Sequence, residues 1–172
     1  MNPAAVNHAT IVYSGVIEPT LLNLLPAQMN SDPAKVMLVA IGLQESRFTH
    51  RYQVLPGTKQ KGPARGFWQF ESGGGCAGVL RHEASRFWMH DVCAKRDCPP
   101  ISSALWRQIE TDDQLACAAA RLLLFTDPKR LPTDPDAGWD LYARTWRPGK
   151  PHRSTWDEFY AVAQHIVLQK DL

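Results

Sequence analysis

The 172-residue chain has no apolar run approaching the roughly 20 residues that a membrane-spanning helix needs. Its start, Met1-Asn2-Pro3-Ala4, lacks a basic segment followed by an apolar stretch, so no targeting segment is visible. An excess of one charge is also missing. Nineteen Lys and Arg against 17 Asp and Glu leave +2, without the electrostatic footprint of a dedicated nucleic-acid binder. Ser72-Gly73-Gly74-Gly75 lacks the Gly-Lys-Ser/Thr ending of a phosphate loop and reads as a flexible turn before a helix. His82-Glu83-Ala84-Ser85-Arg86 misses the zinc-protease helix motif, because Arg86 stands where the second histidine belongs. No internal repeat, heptad seam or low-complexity tract is present, and residues 1–172 fit one domain able to bury about 70% of its unfolded surface.

Cysteine is sparse: Cys76, Cys93, Cys98 and Cys117. In a chain without an export signal, buried free thiols are the default. Two disulfides formed after transfer to an oxidising compartment are one alternative. A structural zinc on His90, Cys93 and Cys98, with His82 and Cys76 upstream, is another, although these spacings fit no standard pattern. No metal and no cofactor is expected.

What the sequence does contain is one carboxylate in an unusual place. Ser31-Asp32-Pro33 is a helix start, with a capping side chain and a proline tolerated in the first turn. The run Val36-Met37-Leu38-Val39-Ala40-Ile41-Gly42-Leu43 that follows carries no charge, so the helix is central and buried. Residues three, four and seven positions back share a face, which stands Glu45 over Gly42, Ile41 and Leu38. Apolar neighbours disfavour the charged form and raise the pKa, leaving a proton donor near neutrality. Protonating a glycosidic oxygen requires such a group. The alternative is a solvated glutamate that merely follows a helix end.

About twenty residues on, Ala64-Arg65-Gly66-Phe67-Trp68-Gln69-Phe70 answers Glu45-Ser46-Arg47-Phe48. Together these segments resemble the signature of the lysozyme-like lytic transglycosylases, a Glu-Ser step ending a helix followed by Gly-Ala-x-Gly-Leu-Met-Gln. Ala64, Gly66 and Gln69 match, Phe67 and Trp68 stand for Leu-Met, and Pro63 replaces the first glycine. The family's third segment, Tyr-Asn-Ala-Gly, is matched only loosely by Tyr142-Ala143-Arg144-Thr145-Trp146-Arg147-Pro148-Gly149, with either Tyr142 or Trp146 in the tyrosine position and no asparagine. The resemblance spans about residues 31–150, and the Trp-Arg-Pro-Gly-Lys-Pro wording is similar to that of phage and prophage members.

The resemblance implies a mainly α, lysozyme-like domain with room for a small β element in the 50–70 region. It implies cleavage of the β-1,4 bond between N-acetylmuramic acid and N-acetylglucosamine in bacterial peptidoglycan. Glu45 would be the acid and then the base, and the sugar's own 6-hydroxyl would attack to give a 1,6-anhydro product. Ser46, Phe67, Trp68, Gln69, Tyr142, Trp146 and Arg147 are the candidate substrate-binding residues. Each also has a plainer reading: Phe67 and Trp68 as packing, Ser46 as a helix end. Hydrolytic relatives use two carboxyl groups about 5 to 9.5 Å apart, and Glu71 is the candidate partner here. A wall-binding or virion structural protein without turnover is a further alternative, which would make other virion proteins its partners. So is a nucleic-acid binder stacking bases on Trp68 and Trp146.

Two basic clusters flank the motifs: Arg47, His50, Arg51, Lys59, Lys61 and Arg65 in the first loop, and Arg144, Arg147, Lys150, His152 and Arg153 in the third segment. If both line one cleft, its wall is basic and suits an anionic polymer such as peptidoglycan with its stem-peptide carboxylates. The expected location is synthesis as a soluble cytoplasmic chain, with access to the wall by phage-mediated delivery or within the virion.

Elsewhere the pattern predicts helices over Gly78 to His90, Ser102 to Glu110, and Leu115 to Phe125 behind a Thr111-x-x-Gln114 capping box. Asp127-Pro128 and Leu131-Pro132-Thr133-Asp134-Pro135 read as a loop. A last helix opening with Thr155-x-x-Glu158 carries a core stripe of Trp156, Phe159, Tyr160, Ala163, Ile166 and Val167.

Overall fold

The computed structural model describes residues 3–168 and is mainly helical, with a small antiparallel sheet where one was allowed for. Helix α1 (Pro3–Val12) runs through a wide turn at Tyr13–Ile17 into α2 (Glu18–Asn23). Helix α3 (Asp32–Glu45) follows, and then strands β1 (Tyr52–Val54) and β2 (Lys61–Arg65). The remaining helices are α4 (Ala77–Arg81), α5 (Arg86–Lys95), α6 (Ser102–Gln108), α7 (Asp113–Phe125), α8 (Pro135–Trp146) and α9 (Arg153–Leu168). Among the described residues no helix is long and apolar enough to cross a membrane.

Helix α3 begins where its cap lies. The Ser31 hydroxyl accepts the Ala34 amide at 3.4 Å, and Pro33 occupies the first turn. Every residue from Val36 to Leu43 is buried, and α3 packs chiefly on α9, with α7 on another side. The stripe on α9 faces it: Trp156, Phe159, Tyr160, Ala163 and Val167 are buried, and Ile166 is packed against the core. Each large side chain so buried contributes about 1.5–3 kcal/mol.

Gly42 makes one close approach possible. The Phe48 ring lies over its face, so that a Cβ added at Gly42 would sit 2.1 Å from the Phe48 Cζ. The chain turns sharply to bring that ring back, with Arg47 and Phe48 both in the left-handed region (φ 53° and 54°). The small sheet registers Tyr52 with Arg65 and Val54 with Lys61, and an isolated bridge from Arg65 to Phe70 closes the turn that follows.

Several expected boundaries moved. The single helix over Gly78 to His90 is two helices. His82 is extended, its Nδ1 accepts the Ala84 amide at 3.2 Å, and the buried Ser85 hydroxyl donates to the Val79 carbonyl at 2.8 Å, which together hold a turn where a helix was expected. The glycines 73–75 lie in a wide helical turn over Ser72–Cys76, broken by a non-helical Gly74. Helix α7 is capped by Asp112, whose carboxylate accepts the Leu115 amide at 3.0 Å, while the Thr111 hydroxyl donates to the preceding turn at Gln108. Asp134-Pro135, read as loop, opens α8: Asp134 accepts the Ala137 amide at 2.9 Å and proline fills the first turn. Helix α9 starts two residues before its expected cap, which releases the Thr155 hydroxyl for a bond to Gln44.

All four cysteines are free thiols in the core. Burial pushes the thiols of Cys76 and Cys93 up to about 12. Among the described residues no group of three or more His, Cys, Asp or Glu side chains is placed to hold a metal ion.

Candidate active site

Glu45 is the last residue of α3, and its carboxyl opens into a cleft of about 1260 Å³. One wall is the segment from Gln69 through the glycine turn to Arg81 and His82; the other is the end of α8 and the loop to His152. The Tyr142 hydroxyl, from α8, donates to Glu45 Oε1 at 2.7 Å. Burial raises the Glu45 pKa from 4.5 to about 7, and the Tyr142 hydrogen bond pulls it part of the way back. The same pairing, after burial itself, makes the Tyr142 phenol harder to ionise, so it remains a donor. A carboxyl group thus stands half-protonated near neutrality beside a fixed hydroxyl.

Tyr142 is itself held in an aromatic stack. Its ring lies nearly parallel to Trp156 (5.3 Å between centroids, 16°), with Trp139 at 5.3 Å on another side. Tyr142 and Trp146 have different surroundings. Tyr142 reaches the carboxyl, whereas the Trp146 indole N–H donates to the Trp68 carbonyl at 3.0 Å. Trp146 is half-buried, lines the cleft beside Tyr142, and packs on Phe70 at 5.7 Å.

The other candidates divide. Gln69 lines the cleft, in the left-handed region at φ 52°, with its amide donating to the Gly66 carbonyl at 2.9 Å. Gly66, at φ 71°, starts that turn, and any Cβ there would press on the Ile109 carbonyl at 3.1 Å. Arg147 is exposed and lines the cleft. Phe67 and Trp68 present no ring to it: both are buried, each packs edge-on to Phe48, and the Trp68 indole donates to the Leu38 carbonyl at 2.9 Å. The turn from Gly66 to Gln69 tucks both rings into the core, where their apolar area is removed from water. Ser46 also lies outside the cleft lining. Its hydroxyl donates to the Phe67 carbonyl at 2.7 Å and accepts the Phe48 amide at 3.1 Å, so it fixes the turn beside Glu45. Glu71 is exposed and borders the same cleft as Glu45.

The expected basic wall is half present. Arg144, Arg147, Lys150 and His152 line the cleft. None of the first-loop cations is on that lining: Arg51 grips Asp113 with two bonds of 2.7 Å, Arg65 pairs with Glu110 at 2.7 Å, and Lys61 joins the same glutamate. Arg81 and His82 of the α4 end line the cleft instead; no pattern in the sequence marks Arg81, and His82 stood out there only for metal motifs. Gln53 and Asp127, also on the lining, were equally unmarked; Arg144 binds Asp127 at 2.6 Å and holds its carboxyl below the usual range.

The chain matches no family model, no curated protein and no solved structure.

Proposed function

We propose that the protein cleaves bacterial peptidoglycan at the β-1,4 bond between N-acetylmuramic acid and N-acetylglucosamine, as a lytic transglycosylase of phage lysis or virion type. One observation carries the reading: a carboxyl group with its pKa near 7, hydrogen-bonded to a tyrosine hydroxyl, on a cleft large enough for several sugar rings. In this reading the protonated Glu45 donates its proton to the glycosidic oxygen as the bond to C1 of muramic acid breaks. The resulting carboxylate is stabilised by the Tyr142 hydroxyl. It then takes the proton of the sugar's 6-hydroxyl as that oxygen attacks C1, which closes the anhydro ring and restores the acid.

A second reading has its own support. Glu71 shares the cleft with Glu45, and a second carboxylate is what a hydrolytic lysozyme uses. Mass spectrometry of soluble fragments released from purified peptidoglycan separates the two. Fragments one water lighter than reducing muropeptides are expected from the protein, and none from Glu45→Gln. Reducing fragments would transfer the assignment to hydrolysis with Glu71. No fragments from either protein would refute cleavage and leave a wall-binding or virion structural role.

A further inference from the structure

The cleft carries more positive charge than cleavage of a neutral glycan requires. Arg81, Arg144, Arg147 and Lys150 line it, all exposed, against the carboxyl groups of Glu71, Asp127 and Glu45. Asp127 is already occupied by Arg144. Among the described residues no carboxylate pairs with Arg81, Arg147 or Lys150. Outside the cleft, Arg51, Arg65, Arg96 and Arg153 each hold a carboxylate within 3 Å. What sets the cleft apart is that three such cations without a carboxylate partner line one cavity with Glu45.

The cationic rim is also held in place. The Gln44 amide donates to the His152 carbonyl at 3.1 Å, and the Thr155 hydroxyl donates to the Gln44 carbonyl oxygen at 3.1 Å. Gln44 immediately precedes Glu45, so the loop bearing Arg147 and Lys150 is tied to the residue beside the acid. That loop is therefore fixed relative to the end of α3.

Resting on the peptidoglycan reading, we propose that Arg81, Arg147 and Lys150 form a carboxylate-binding rim that selects glycan strands still carrying their stem peptides. The neutral sugars would lie along the cleft, and the peptide carboxylates would meet the rim. Solvent-exposed ion pairs are each worth only a few-fold in affinity, so two or three together give a preference of about tenfold over bare strands.

The test uses two substrates: purified sacculi freed of other anionic polymers, and the same strands stripped of peptides by an amidase. Initial rates of fragment release, and binding to each substrate immobilised on beads, are measured for the wild-type protein and for Arg81→Gln/Lys150→Gln, with thermal unfolding as the check on folding. The expected result is about a tenfold faster release from peptide-bearing strands by the wild type, and a ratio near one for the double variant. Equal rates on the two substrates with the wild type, or an undiminished preference in the variant, would overturn the proposal. If neither substrate is cleaved, the cleavage reading fails and bead binding decides. Binding that depends on the peptides and is lost in the variant keeps the rim, and binding indifferent to peptides removes it.

Discussion

The raised pKa of Glu45 carries a stability consequence that is independent of any activity. In the unfolded chain the carboxyl ionises near 4.5; in the fold it does so near 7. Between those values the folded protein keeps a proton that the unfolded chain has released. Stability from this group is therefore complete below the lower value and is lost as the pH rises through the higher one. The distance between the two values corresponds to about 3 kcal/mol, most of it falling between pH 5 and pH 8.5. Glu45→Gln keeps an acceptor for the Tyr142 hydroxyl and cannot ionise, so it escapes the loss. Urea unfolding of both proteins across that pH range is the measurement. The glutamine variant should gain on the wild type by roughly 2–3 kcal/mol between pH 5 and pH 8.5. A gap between the two proteins that does not change with pH, or that moves the other way, would show that Glu45 is solvated and would remove the physical basis for its role as an acid.

Two further outcomes follow from the same geometry. Tyr142→Phe keeps the ring stacked on Trp156 but deletes the donor to the carboxylate; a hydrogen bond to a charged group is worth about 1.5–3 kcal/mol, so the Glu45 midpoint should rise by roughly one to two units in carboxyl-carbon NMR titration. An unmoved or lower midpoint would mean that the bond does not favour the ionised form. Gly42→Ala places a methyl group on the Phe48 ring and should destabilise the protein by about 1–3 kcal/mol in urea unfolding, against near-neutrality if Phe48 can withdraw.

The division between legible and illegible features follows the range of the forces involved. The cap at Ser31, the apolar run and the position of Glu45 at its end depend on residues a few places apart, and the helix formed where they indicated. The stripe on α9 was readable for the same reason. Errors came where two local signals compete. Thr111 and Asp112 are both good caps, and the carboxylate won while the hydroxyl bonded back to Gln108. The pattern over Gly78 to His90 is helical on average, yet the Ser85 hydroxyl, once buried, bonds to Val79 in a turn. Phe67 and Trp68 read equally well as sugar platforms or as packing, because an aromatic side chain serves either role until its surroundings are known.

The sequence by itself determined a mainly helical chain, a buried central helix and a single carboxylate poised at its exit, since periodicity, capping and apolar neighbours act within a few turns. Only the tertiary structure decided that Tyr142 reaches that carboxylate, that Phe67 and Trp68 turn inward, and that Arg81 shares a cleft with Arg147 and Lys150. Those relations join residues far apart in the chain, and they exist only once packing has brought α3, α4, α8 and the loop to α9 together.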